Sequence, residues 1–348
     1  MKNKNGELDL ETLRPRAGST KKLPTGEVLF LSPLPVPTGQ IPADLNGSFT
    51  EVNDVYLDFG STNSGKAFQT QIMIANVMLV FLFFFIFTPF IAGTTAWGNP
   101  HGVSFWSRAE SVLNYTLPLA IGLTITTALI AIYVIIGSTL RKSKTRPLRF
   151  NRQRREICYF PKNSNKPIIR PWEETITWLS ANINTTGVGI IKTFNLGIAI
   201  EDKANGLTHY INNTAPSIFH GFSQWEAIRS YMEYDTDYFP EKVAAEGRDT
   251  FDKEIEEFRN EKKSITGKLW WILTHVISWW KVPYLIAEWD HKYSTKPMPE
   301  CIINWSEPLP KTQWTPPSGA LVEQSRKMKT AFTHGQDFIS YFKASFKD

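Results

Sequence analysis

Cysteine is scarce in this sequence: 348 residues contain two, Cys158 and Cys301, far apart and with no histidine at metal-ligand spacing. That excludes a disulfide framework and offers no zinc site, so both are read as reduced structural thiols. Catalytic signatures are missing as well. There is no glycine-rich phosphate loop, no GxSxG elbow, no HExxH and no paired Asp motif of the kind that holds magnesium. The expectation is a protein with no metal, no cofactor and no enzymatic activity, whose work is binding.

Charge is absent from two long stretches. From Ile72 to Gly93 the chain reads IMIANVMLVFLFFFIFTPFIAG, about 30 Å of helix without an ionisable side chain, which matches a hydrocarbon core. A buried helix of a soluble protein is seldom apolar on every face for that length. The second stretch runs from Tyr115 to Leu140, again uncharged. Together they predict a two-helix transmembrane hairpin over residues 67–140, with Pro89 kinking or ending the first helix near the interface. The polar region ahead of Ile72 is too long for a cleaved signal peptide.

The basic residues then orient the hairpin. The loop 94–114 contains one, Arg108, whereas the fifteen positions after Leu140 contain eight, Arg141, Lys142, Lys144, Arg146, Arg149, Arg152, Arg154 and Arg155. Basic flanks stay inside, and Arg14, Arg16, Lys21, Lys22 and Lys66 place the N-terminal flank on the same side. The expectation is a multi-pass inner-membrane protein with both termini cytoplasmic. Arg141, Lys142, Lys144, Arg146 and Arg149 are expected to hold this topology and to contact anionic lipid headgroups. Trp97 and Trp106 in the loop read as interfacial anchors, with toxin sensing by that loop as the sharper alternative. Net charge is +5, but the excess clusters beside the apolar runs, so the bilayer is the expected partner and nucleic acid is not.

The remainder reads as α+β. Residues 1–66, rich in Gly, Pro, Asn, Ser and Thr, show no sustained period and are expected to be extended or partly disordered chain. Residues 141–322 are expected to form one cytosolic domain. LRFNRQRREICYF, PKNSNKP and IIRPWEETITWL predict a hairpin and a following strand or short helix, and VGIIKTFNLGIAIED, KANG and LTHYI predict further strands of a small antiparallel sheet. Two helices are expected to cover it. SQWEAIRSYMEYD aligns Trp225, Ile228 and Met232 behind a candidate cap, Ser223, and DTFDKEIEEFRNEKK aligns Phe251, Ile255 and Phe258.

The segment 268–289, KLWWILTHVISWWKVPYLIAEW, is too short to span and is interrupted by Pro283. It has two readings. It could lie flat on the inner leaflet, with Trp270, Trp271, Trp279 and Trp280 among the headgroups and Lys268 and Lys281 reaching phosphate. The favoured reading makes it the core helix of the soluble domain, its tryptophans against the sheet. His275 reads as a satisfied or exposed histidine, Glu173 and Glu174 as a solvated edge, and Glu288, Asp290 and His291 provide no nucleophile. PMPECIINWSEPLPKTQWTPPSGAL reads as an extended strap with Trp305 and Trp314 as apolar pegs, and residues 323–348 as an amphipathic tail using Phe338, Ile339, Phe342 and Phe346.

The apolar pair, RPLRFNRQRREICYF, the WEE element and INWSEPLPKTQWTPPSGAL together resemble a bacterial two-transmembrane family encoded near type VI secretion effectors. The resemblance covers roughly residues 70–322, and its most specific positions are Phe150, Asn151, Arg152, Arg154 and Arg155, then Trp305, Ser306, Glu307 and Pro308. It brings no activity with it. Residues 141–215 are more weakly similar to bacterial pleckstrin-homology-like domains that follow two spans. What the resemblance implies is an immunity-type membrane protein of bacterial competition that neutralises a cognate secreted toxin by direct recognition. The alternatives are a loading accessory of the secretion machine and, further off, a membrane-anchored enzyme.

Overall fold

The computed structural model describes residues 15–24, 26–44, 47–60, 65–96, 102–162, 164–186, 189–234, 240, 246–260 and 264–345. The chain is mixed α+β and divides into two compact units, each assembled from separate stretches: 1–62, 145–243 and 297–348 form the first, 63–144 and 244–296 the second. The expected domain of residues 141–322 is therefore discontinuous. It takes strands from the N-terminal region and loses residues 244–296 to the other unit.

The first unit holds two five-stranded antiparallel sheets. One has the order β1 (Thr20–Leu23), β2 (Gly26–Ser32), β8 (Ile176–Thr186), β9 (Gly189–Asp202), β10 (Leu207–Ala215). The other runs β3 (Phe49–Val52), β4 (Tyr56–Phe59), β5 (Leu148–Asn151), β6 (Glu156–Tyr159), β7 (Ile168–Pro171). Four strands thus come from a region expected to be extended or partly disordered. The reason is visible in β2, where Val28, Leu29, Phe30 and Leu31 are all buried. A strand covered on both faces reads as a continuous apolar run, and no alternation betrays it. At the sheet edge, β1 carries the exposed Lys21 and Lys22, charges that discourage pairing with a further strand.

Strand β4 pairs with β5 in the register Leu57 opposite Phe150 and Phe59 opposite Leu148. Neighbouring strands are thus separated in sequence by the whole apolar segment, and the chain leaves and re-enters this sheet at the same seam. Next to it, Phe150 sets its ring edge-on to Trp172 at 5.8 Å, and Trp172 lies 5.1 Å from Trp225. Trp225 belongs to α3 (Ile218–Glu233), which follows β10. Trp225, Ile228 and Met232 are fully buried, on the face their spacing marks. The cap is Ser217, six residues before the expected Ser223: its hydroxyl accepts from the backbone N–H of His220. In β9, Gly197 lets the Trp178 ring lie flat on the backbone, since a Cβ there would fall 2.2 Å from it.

After a short helix α7 (Glu300–Trp305), the chain ends in α8 (Gly319–Thr333) and α9 (Phe338–Ser345). Part of the expected strap is thus helical, because Pro299 precedes the first turn of α7, where a following helix needs no N–H from it. The tail packs on the domain: Phe338 and Phe342 are buried, Phe338 edge-on to Phe222 at 6.2 Å. Phe346 lies outside the described residues.

The second unit contains both apolar helices. Helix α1 (Lys66–Thr94) and helix α2 (Phe105–Lys142) are long and apolar enough to cross a membrane, and 6% of the most apolar window of each is buried. Pro89 does not end α1. A wide π-helical turn at Phe83–Phe87 precedes it and takes up the register lost where proline offers no N–H. Helix α2 starts ten residues before the expected Tyr115, capped by Ser104, and its 38 residues make about 57 Å. Trp106 lies in its first turn, 77% exposed, while Trp97 lies outside the described residues. Helices α4 (Arg248–Asn260), α5 (Ile265–Ile277) and α6 (Val282–Tyr293) complete this unit. Phe251, Tyr284 and Ala287 pack with Ala67, so α4 does not cover a sheet as its pattern suggested.

Candidate functional site

Where α1 begins and α2 ends, the second unit buries an ionic knot. Asp290 of α6 is fully buried and Lys66, the first residue of α1, is 4% exposed. Their charged atoms lie 3.0 Å apart. Lys66 also donates to the Ser138 hydroxyl at 2.7 Å, the Thr139 hydroxyl donates to the same carboxylate, and Lys142 stands 3.7 Å from its other oxygen. One carboxylate thus joins three helices. The carboxylate faces two ammonium groups, in surroundings where an unpaired ion costs several kcal/mol. Beside it, the Glu246 carboxylate accepts from the backbone N–H groups of Gly65 and Ala67, both at 2.7 Å. A residue distant in sequence therefore caps α1 and faces the positive end of its dipole.

Next to the knot, α5 and α6 form an aromatic elbow. The favoured single core helix over 268–289 is overturned on two counts. The segment belongs to the unit of the apolar helices, and it breaks at Trp279 and Trp280, whose φ values are 63° and 56°. Pro283 falls in the first turn of α6, where the absent N–H has no partner to lose. His275 is buried, 7% exposed, with Nδ1 at 2.8 Å from the Trp271 carbonyl and Nε2 without a hydrogen bond. Trp271 stacks on His275 at 3.9 Å and on Phe258 at 4.2 Å, and Trp280 sets its ring edge-on to Trp271 and Phe251 at 5.6 and 5.8 Å. Trp270, Trp279 and Trp280 are 68%, 54% and 39% exposed. Glu254 accepts from the Tyr284 hydroxyl at 2.6 Å; burial and then that carboxylate raise the tyrosine pKa.

In the first unit, the two motif segments meet. Asn151 accepts from the backbone N–H of Gln153 and Arg154 at 3.1 and 3.0 Å, closing the β5–β6 turn. The Trp305 carbonyl accepts from Asn151 at 3.4 Å and from Arg154 at 2.9 Å. The Trp305 indole donates to Glu156 at 3.1 Å, and Ser306 accepts from Arg149 at 2.9 Å. Arg152 lays its guanidinium 3.3 Å over the Tyr234 ring. Arg155, at φ 53°, donates to Glu233 at 2.6 Å and to Glu173 at 2.9 Å, so Glu173 is part of the interior lattice and not of a solvated edge. Glu174 is exposed, 3.5 Å from Lys203. Glu307 and Pro308 are exposed, in the turn that brings the Leu309 N–H to Gln153 at 2.7 Å.

The five basic positions assigned to headgroups separate. Arg141 and Lys144 are exposed and Lys142 belongs to the knot. Arg146 donates to the Pro297 carbonyl at 3.0 Å and covers the Phe160 ring at 4.5 Å. Arg149 is a correction: it is 6% exposed, in β5, and forms a bidentate pair with Asp58 at 2.7 Å through both bonds. Both thiols are free, Cys158 buried and Cys301 exposed; burial pushes the Cys158 thiol up to about 12. Among the described residues, no group of three or more His, Cys, Asp or Glu is placed to hold a metal ion.

Sequence reasoning missed the pairing of Lys66 with Asp290. A signal was present, since Asp290 lies on the helix face shared by Tyr284 and Ala287, and an ion on a buried stripe requires a counter-ion. Comparison with family models, curated proteins and solved structures returned no match.

Proposed function

We propose that this is a two-span integral membrane protein of the bacterial inner membrane, with both termini cytoplasmic, that acts by recognising another protein. The observation that carries the reading is the β4–β5 seam. Both ends of the apolar segment belong to one antiparallel strand pair, so a bilayer crossed by α1 must be crossed back by α2. The exposure of their apolar side chains supports lipid as their solvent. The two three-stranded meanders β5–β7 and β8–β10, followed by α3, support the pleckstrin-homology-like reading of the cytoplasmic domain.

Binding is favoured over chemistry by how the buried carboxylates are used. Asp58, Glu226, Glu233 and Asp290 each hold a cation at 2.6 to 3.0 Å, and such pairs fix shape. In its sharper form the proposal is an immunity-type protein that neutralises a cognate type VI toxin. Producing the protein in sensitive cells together with the product of an adjacent effector gene should restore growth. Unrelieved killing sinks the immunity reading, and an aqueous, detergent-free polypeptide sinks the membrane reading.

A further inference from the structure

On α5, the side chains of Ile265, Leu269, Ile272, Leu273 and Val276 are between 41% and 80% exposed. On a helical projection they fall within an arc of ~100°. The opposite edge of that arc adjoins the packed side, where Trp271 and His275 sit beneath Phe258 and Phe251 of α4. Such a continuous apolar face is abnormal for a surface in water. Residues 264–281 contain no Asp or Glu, and Lys268 flanks the face. The carboxylates of Glu256 and Glu257 stand on the side of α4 away from its packed Phe251 and Phe258, while Asp252 pairs with Lys281 at 2.8 Å and Glu254 lies 3.8 Å from the His275 ring on the packed side. The carboxylates of α4 nearest α5 thus lie on its packed side or at the elbow, and the exposed arc of α5 carries none of its own.

The position of the layer names its occupant. Tyr284 reaches Gln71 at 3.5 Å, Asp290 holds Lys66 at the start of α1 and Thr139 and Lys142 in the last turns of α2. Helix α6, to which α5 is joined by the elbow, therefore sits at the level where the uncharged run beginning at Ile72 gives way to Lys66, Arg141 and Lys144. That is the depth of a headgroup layer, and exposed Trp270, Trp279 and Trp280 are the aromatic type enriched there.

We infer that α5 is a monotopic membrane contact: it lies in the plane of the leaflet from which α1 departs, its apolar arc among acyl chains and its basic flank against anionic headgroups. This rests on the two-span reading and extends it, because it turns the second unit into a platform held to the bilayer by three helices.

The test uses the full chain carrying Cys301→Ser, with single cysteines at Leu269, Val276, Leu129 or Glu256, each labelled with a polarity-sensitive fluorophore. Cys158, buried, takes no label. The proteins are reconstituted in vesicles of phosphatidylcholine with or without phosphatidylglycerol, and quenched by lipids bearing a nitroxide near the headgroup or by aqueous iodide. Labels at 269 and 276 should lose fluorescence to the lipid nitroxide and not to iodide, with a blue shift that grows with phosphatidylglycerol, while the label at 256 behaves oppositely. If 129 is shielded from iodide but 269 and 276 are quenched by it, the inference is wrong and the spans stand. Iodide quenching at 129 defeats the spans themselves. Efficient disulfide linkage between Val276→Cys copies without lipid quenching overturns the inference in favour of a second copy of this chain.

Discussion

Replacing Asp290 by Asn removes one charge from the knot and little else. Asn keeps the shape and still accepts from Thr139 and Lys66, so the loss is electrostatic. Lys66 is the ion left stranded, with its side chain 5% exposed and its ammonium 3.0 Å from the former carboxylate. Lys142, 23% exposed, can turn toward water. Breaking a buried pair from one side costs roughly 3–5 kcal/mol, and the retained hydrogen bonds place this substitution near 3. At 1.4 kcal/mol per decade, opening of α6 becomes about a hundredfold more frequent. Hydrogen exchange of the 282–293 amides, followed by mass spectrometry in detergent micelles, reads that change directly. Glu288→Gln is the control on the same helix, since its Arg248 partner is exposed, and it should leave exchange unchanged. Lys66→Met with Asp290→Leu should return exchange to within about tenfold of the original, because an apolar pair of similar volume replaces an ionic one at little cost. Unchanged exchange in Asp290→Asn, or a double variant worse than the single one, would refute the reasoning.

Three further outcomes are expected. Arg149→Lys loses the bidentate pair with Asp58 and the bond to Ser306, and should destabilise the β4–β5 seam by about 1.5–3 kcal/mol, read as faster exchange in both strands; unaltered exchange there would count against the pair's role. Gly18→Ala should cost more than about 1 kcal/mol, since φ is +78° and the new Cβ would stand 2.0 Å from the Phe342 ring; the measurable sign is loosening of α9. At pH 8 alkylation of the folded protein should modify one thiol, Cys301. Cys158, pushed up to about 12 by burial, holds its proton until unfolding returns it to the ordinary thiol range; mass analysis showing two modifications in the folded state would contradict this.

What the sequence revealed follows from which physical signals are local. The apolar runs and α3 were legible because a period, or a complete absence of charge, persists over many residues. Phe150 and Trp305 stood out as parts of motifs, yet their mutual docking was invisible, because Asn151 and Arg154 reach the Trp305 carbonyl across some 150 positions. Burial on both faces hid β2. The elbow was misassigned because composition records that Trp270 and Val276 are apolar and cannot record which unit they join. The knot was missed for a related reason: Lys66 read as a topology charge and Asp290 as a stray acid, and only their distance gives either a meaning.

The strand seam has a consequence for how the chain is made. A ribosome delivers β4 before the greasy helices and β5 after them, so the second sheet waits, half built, while everything between is made. The same delay applies to β2, whose neighbour β8 arrives later still. During synthesis the early strands need shelter, and on the two-span reading slow insertion should be felt as aggregation of the strand-bearing unit.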